Sequence, residues 1–257
     1  MPTDDIQTSA AGGPRPLPGL NRREALLLGA VGLLIASCGS GGDGDGAVFA
    51  AVTGSEREDA ISDCAITPEV TEGPYFVDER LNRADITADA NGRSVQSGTP
   101  LELRIAVYSA AASGCAPLAG YQIDIWHANA AGQYSDIAAN GTSGHNYLRG
   151  YQITDSAGQV AFTTIYPGCY DGRAIHIHVM ARKYDSAGNQ TYTATTQLFF
   201  DDAINDRVMT NPPYSARGGR ALRNSDDDLY DEQTALLCAL AADAGGGYTG
   251  TFSLGLA

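Results

Sequence analysis

Positive charge is scarce in this sequence. Its 257 residues carry 16 basic side chains against 30 acidic ones, a net charge of −14, and Lys183 is the only lysine. No basic stripe is interleaved with aromatics, so the footprint of a nucleic-acid binder is missing. An acidic surface repels anionic substrates at a distance, so a carboxylated ligand would rest on local cations. A membrane-spanning run is missing as well: the apolar stretch Ala25 to Ala36 has about a dozen residues, where a bilayer takes roughly 20. No repeat period is present. What is abundant is glycine, at 31 residues, and tyrosine, at 13, with an apolar fraction of 43%. That mixture suits a turn-rich β protein better than a helical bundle.

The N-terminus reads as an address. Arg22 and Arg23 precede the apolar run, the pattern of a twin-arginine export signal. The run ends Leu34-Ile35-Ala36-Ser37-Cys38, small residues before a cysteine, as in a bacterial lipobox. The expectation is a signal over residues 1–37 and a lipid on Cys38, the membrane being reached only through that anchor. A plain cleaved signal, with Cys38 incidental, is the alternative. Residues 38–60, with GSGGDGDG from Gly39 to Gly46, form a flexible tether. Such a chain would be exported, either anchored in the cell envelope or secreted. Four cysteines remain: Cys64, Cys115, Cys169 and Cys238. An even number in an exported chain suggests two disulfides. Three pairings are possible and the sequence does not choose; Cys115–Cys169 with Cys64–Cys238 is the working expectation. Twin-arginine export carries folded proteins, so these bonds would close after folding or after export.

From about Ile61 the apolar pattern has period two. Leu101, Leu103, Ile105 and Val107 alternate with Glu102, Arg104 and Ala106; Tyr121, Ile123 and Ile125 with Gln122, Asp124 and Trp126; Val160, Phe162 and Thr164 repeat the theme, as do Ile175, Ile177 and Val179. Turn clusters separate them: AASG at Ala111, NAAG at Asn129, DSAG at Asp155 and Asp185, PGCYDG at Pro167. Many short strands with frequent turns predict an all-β, antiparallel β-sandwich. The segment Asp231 to Ala242 has helical composition, yet Tyr248 to Leu256 reads as a strand, which makes a closing hairpin the rival.

Chemistry gathers in RAIHIHVMA, Arg173 to Ala181. His176 and His178 lie two apart in a strand, so both imidazoles leave the same face, a metal-ligand spacing. Alone, H-x-H is a weak signal that two exposed or hydrogen-bonded histidines fit better. Two tyrosines sharpen it: Tyr170 in the turn just before the histidine strand, and Tyr134 after another strand and Gly turn. A phenol has a pKa near 10 and is a poor ligand for most divalent metals. A strongly charged hard cation displaces its proton. Two His and two Tyr therefore point to one mononuclear Fe(III) site.

On these residues the chain resembles the intradiol ring-cleaving dioxygenases. The resemblance runs through Thr67 to Ile86 (TPEVTEGPYFVDERLNRADI), Pro117 to Asp136 with Tyr134, Tyr147 to Val179 with Tyr170, His176 and His178, and Thr196 to Phe200 (TQLFF) with Gln197. It implies that residues 61–257 form a catalytic domain. It further implies a ferric ion on those four side chains, a small aromatic diol and O2 as substrates, and cleavage between the two hydroxyl carbons to a cis,cis-muconate type product. Tyr170 would leave the metal and take a substrate proton, and Arg173 would stabilise developing negative charge. Gln197 would be an active-site residue, or simply a strand residue. The chain departs from better-known members in the short DGRAI loop before His176 and in lacking a long helical region before the catalytic part. Export and cysteines resemble a secreted subgroup whose C-terminal segment forms strands, which favours the hairpin over the helix.

Other residues read as structural: Tyr75, Tyr108, Tyr121 and Tyr151 as core or sheet surface, His127 as a satisfied core histidine, His145 as a loop residue without a role. Asp226, Asp227 and Asp228 read as a solvated charge run. Two rivals remain. A copper-type oxidase on the same His pair would not need both tyrosines. An exported β-sandwich module binding aromatic ligands without turnover would have no use for the complete set of both tyrosines, both histidines and Arg173.

Overall fold

The described residues of the computed structural model, 65–111, 114–218, 222–230 and 236–257, hold nine strands. They are β1 (Pro100–Ala111), β2 (Gly114–Pro117), β3 (Gln122–Trp126), β4 (Arg149–Ile153), β5 (Gln159–Ile165), β6 (His176–Tyr184), β7 (Gln190–Phe199), β8 (Ala239–Ala242) and β9 (Tyr248–Leu256). The four period-two stretches fall on β1, β3, β5 and β6. One sheet has the order β4-β3-β6-β7. In the other, β1 is long enough to share one edge between β5, on Pro100 to Ala106, and β2, on Tyr108 to Ala111. Its other edge carries β9, and β8 follows. The stretches read as export signal and tether, together with Cys38 and Cys64, lie outside the described residues.

Alternation predicts the core side of β1 well. Leu101, Leu103, Ile105 and Val107 are each no more than 1% exposed, while Glu102 and Arg104 face solvent. They join Phe162 of β5, Phe252 and Leu254 of β9, and Ile123, Ile125, Ile177 and Val179 of the facing sheet in one core. Each such side chain contributes about 1.5–3 kcal/mol by leaving water. The sandwich is antiparallel at every strand pair except β1–β9, which runs parallel from Leu101↔Tyr248 to Ser109↔Leu256.

The closing hairpin is present: β8 pairs antiparallel with β9 from Ala239↔Thr251 to Ala242↔Tyr248. Just before it, Leu236 and Cys238 exchange backbone hydrogen bonds with Phe199 at the end of β7. Residues 231–235 of the ambiguous segment lie outside the described residues. One helix that the pattern did not announce, α1 (Asp202–Met209), starts where the Asp201 carboxylate accepts from the amides of Ala203 and Ile204, the usual chemistry of an N-cap.

The disulfide expectation is corrected. Cys115 is disulfide-bonded, but Cys169 and Cys238 are both buried thiols. The reason is placement. Cys115 sits on the short edge strand β2, Cys169 lies in the loop before β6, where Arg217 Nη1 reaches its sulfur at 3.6 Å, and Cys238 precedes β8.

Candidate metal centre

The site grows from one row of residues across three strands. Trp126 of β3, His178 of β6 and Gln197 of β7 stand directly opposite one another in register, so their side chains share a face. Alternation alone would send that face to solvent. Instead both faces of β6 are buried over most of its length, because the irregular segment 71–78 crosses the row. The Thr71 carbonyl accepts from Gln197 Nε2 at 2.8 Å, Gly73 lies against His178, and Phe76 packs on Trp126 with centroids 4.9 Å apart. Asp78 anchors the end of the segment to Arg182 Nη1 at 3.2 Å.

Under this cover four donor atoms converge. Tyr134 Oη lies 3.3 Å from His176 Nε2 and 3.1 Å from His178 Nε2. Tyr170 Oη lies 3.1 Å from His176 Nε2, and the two Nε2 atoms are 3.1 Å apart. The His176 Nδ1 proton is fixed by the Ala174 carbonyl at 2.7 Å, which can only accept. Its Nε2 therefore presents a lone pair to the cluster, the arrangement a metal-binding imidazole needs. His178 stacks on Trp126 at 4.8 Å, nearly parallel.

Electrostatics agree with a cation-accepting centre. Burial, reinforced by Arg173, pushes His176 down to about 3. Burial and its neighbour His176 hold His178 well below its ordinary value. Both rings are thus neutral at pH 7. Burial raises both phenols, Tyr134 well above its ordinary value. Without a cation the tyrosines keep their protons, and only a strongly charged Lewis acid would displace them. Two neutral imidazoles and two phenols fit a hard trivalent ion. Among the described residues no group of three His, Cys, Asp or Glu side chains offers a rival metal site.

Tight loops set the spacing of the two tyrosines. Asn129 Oδ1 accepts from the amides of Ala131 and Gln133, closing the turn before Tyr134. Gly132 takes φ 79° there, and a Cβ on it would overlap the Cys169 carbonyl oxygen. Reciprocally, a Cβ on Gly168 would overlap the Asn129 carbonyl. The Tyr134 and Tyr170 loops thus touch backbone to backbone, with glycine on each side of the contact.

Arg173 lies beside the cluster, its Nη1 3.5 Å from His176 Nε2. Its Nη2 donates to Gln197 Oε1 at 2.6 Å, so Gln197 belongs to the site as well as to its strand. Three participants escape a reading of sequence. Tyr75 is no mere core residue: its ring stacks on Tyr134 at 4.6 Å and meets Tyr170 edge-on at 6.2 Å. Arg149 sits buried behind Tyr134, its guanidinium 6.0 Å from that ring and held by Ser135. Asp227 is not solvated: Asp226 and Asp228 are exposed, but Asp227 is buried and pairs with Arg173 Nε at 2.9 Å. Nothing in the local sequence singles it out among three successive aspartates. His127 is the satisfied core histidine expected, and His145 bonds Asp89 at 2.9 Å.

Comparison with known proteins converges on one family. The family model described as "Dioxygenase" matches residues 71–218. Catechol 1,2-dioxygenase 1 of Acinetobacter lwoffii is 28% identical over 228 aligned positions, covering 74% of this chain and 70% of the relative. An intradiol ring-cleavage dioxygenase from Tetranychus urticae superposes with a TM-score of 0.63 at 26% identity, covering 75% of this chain and 94% of that one. The dioxygenase domain of a carbohydrate-binding fusion protein from Streptomyces sp. SirexAA-E is 32% identical, with a TM-score of 0.53 and coverage of 75% and 98%. The matched segment contains the row Trp126–His178–Gln197 and all four converging donors, and the chain belongs to the intradiol ring-cleavage dioxygenases.

Proposed function

We propose that Tyr134, Tyr170, His176 and His178 hold one ferric ion and that the enzyme cleaves a catechol between its two hydroxyl carbons with O2. Both oxygen atoms would end in a cis,cis-muconate type diacid. The observation that carries this reading is the convergence of Tyr134 Oη, Tyr170 Oη and His178 Nε2 on His176 Nε2 at 3.1–3.3 Å, with Tyr134 Oη also 3.1 Å from His178 Nε2. Ferric iron bound there supplies a Lewis acid that makes a chelated catechol reactive toward O2.

The chain's own groups divide the remaining work. Tyr134 is 1% exposed and locked between Tyr75 and the two histidines, which suits a permanent ligand. Tyr170 is only partly buried and sits on a loop, which suits the phenol that swings away and takes a substrate hydroxyl proton on Oη. Arg173 Nη1 faces the same space, placed to stabilise negative charge as it develops on the substrate. Tyr75 and the 71–78 segment shield the centre from water.

The test is a visible absorption spectrum of the iron-loaded protein before and after catechol is added. A ferric-phenolate band that moves to longer wavelength supports the site and its chelation of substrate. A colourless protein, unchanged by catechol, would sink the reading and favour the binding module without turnover. We also read the chain as exported, in the manner of a secreted subgroup, and anchored through lipid on Cys38. Membrane fractionation of wild type against Cys38→Ala tests this, and equal distribution of the two would refute it.

A further inference from the structure

Arg173 has three nitrogens to place, and the protein fixes two of them. Nη2 donates to Gln197 Oε1 at 2.6 Å, and Gln197 is itself oriented by its bond to the Thr71 carbonyl. Nε donates to Asp227 Oδ2 at 2.9 Å. The same Asp227 oxygen accepts from the Ala174 amide at 2.8 Å, and the other, Oδ1, accepts from the Leu229 amide at 3.0 Å. The Asp227 side chain is 2% exposed and that of Arg173 18%. With Nε and Nη2 held, the rigid guanidinium plane has one orientation, and Nη1 is left facing His176 Nε2 at 3.5 Å.

We propose that Asp227 is a positioning residue for ring cleavage, fixing the plane and rotamer of Arg173 so that Nη1 is already aimed at the reacting substrate. The inference rests on the ferric dioxygenase reading above. It concerns a residue beyond 71–218, the segment shared with the family model, on a loop unrelated to the sheet row that builds the metal centre. A free arginine side chain gives up rotamer entropy when it is immobilised. A donor that must first be immobilised forfeits much of the gain of preorganisation. Misplacement of such a group by an ångström costs on the order of 100-fold in rate.

The test is a double-mutant cycle on the iron-loaded full chain: wild type, Asp227→Ala, Arg173→Ala and the double variant. It reads kcat, KM for catechol and the visible band. Asp227→Ala should lower kcat on the order of 100-fold, with KM changed by less than about threefold and the band and iron content as in wild type. In the Arg173→Ala background the same substitution should have no further effect, because the group through which Asp227 acts is gone. A purely structural role would instead give the same fold-loss in both backgrounds, or lose the band together with activity; either result overturns the inference. Should Asp227→Ala fail to fold, Asp227→Asn carries the comparison. Its amide serves Arg173 and Ala174 with its oxygen but turns an N–H toward the Leu229 amide, so kcat should fall about tenfold or more; unchanged kcat overturns the inference. A wild type with neither band nor cleavage overturns the ferric reading and this inference with it. A competent wild type with unaffected Asp227 variants overturns this inference alone.

Discussion

His127 satisfies both ring nitrogens inside the core, Nδ1 donating to the Ala128 carbonyl at 2.9 Å and Nε2 meeting the Thr164 hydroxyl at 2.7 Å. Burial pushes its pKa down to about 4, against about 6.5 in an unfolded chain. Between these values the unfolded state binds the extra proton, so stability is full above about pH 6.5 and is lost as pH falls toward 4. The loss from this residue is about 3 kcal/mol. Urea unfolding at pH 7.5 and 4.5 should show a smaller acid loss for His127→Gln than for wild type at equal iron content. Equal losses would refute the assignment. At this scale the sequence is partly legible. Tyr134, Tyr170, His176 and His178 stand out because residue type and spacing are themselves the chemistry. Asp227 does not, because its burial depends on where a distant loop lands. Tyr75 hides among many tyrosines for the same reason.

At the level of elements, one turn design recurs. Asp155, Asp185, Asp243 and Asn129 each accept, through one side-chain oxygen, from the amides two and four residues on. Asx turns of this kind are written in the local sequence, which is why the DSAG and NAAG stretches read correctly as turns. The Asp201 cap of α1 is equally local and was available to the same reading. The 71–78 segment was not: it has no period, and its role as a cover comes from Gln197, Trp126 and Arg182 far along the chain. The Asn129 turn yields a prediction. Gly132→Ala must leave φ 79° or push the Cys169 carbonyl away, and with it the Tyr170 loop. It should cost at least about 1–3 kcal/mol, and lower iron occupancy more than Asp155→Ala, whose turn lies away from the tyrosine loops. Iron content per chain at equal folded fraction is the measurement. Equal occupancy in the two variants would show that loop contact does not set the site.

For the whole molecule, the long strands such as β1 and β5 and their inward faces follow from alternation, but their neighbours do not. Nothing local in Tyr248 to Leu256 says that it lies parallel to β1, because parallel pairing needs a crossover and the crossover here is most of the domain. Phe252 of β9 is 3% exposed and packs in the core shared by both sheets. Phe252→Ala should destabilise by about 3–5 kcal/mol, read from the urea midpoint with unchanged slope. A loss below about 1 kcal/mol would mean that this strand is not central.

The position of β9 also bears on the order of assembly. The sheet that carries the histidines, β4-β3-β6-β7, is complete by Phe199, whereas the partner sheet has β9 between β1 and β8, and β9 follows every other strand in chain order. On a ribosome, which delivers the chain from its N-terminus, the catalytic half is available early but has nothing to pack on. One whole edge of β1 stays unsatisfied until β9 emerges. Emergence of Tyr248 to Leu256, rather than any earlier stage of translation, then becomes the event that completes the sandwich, and a nascent chain stalled before Tyr248 leaves that edge of β1 open.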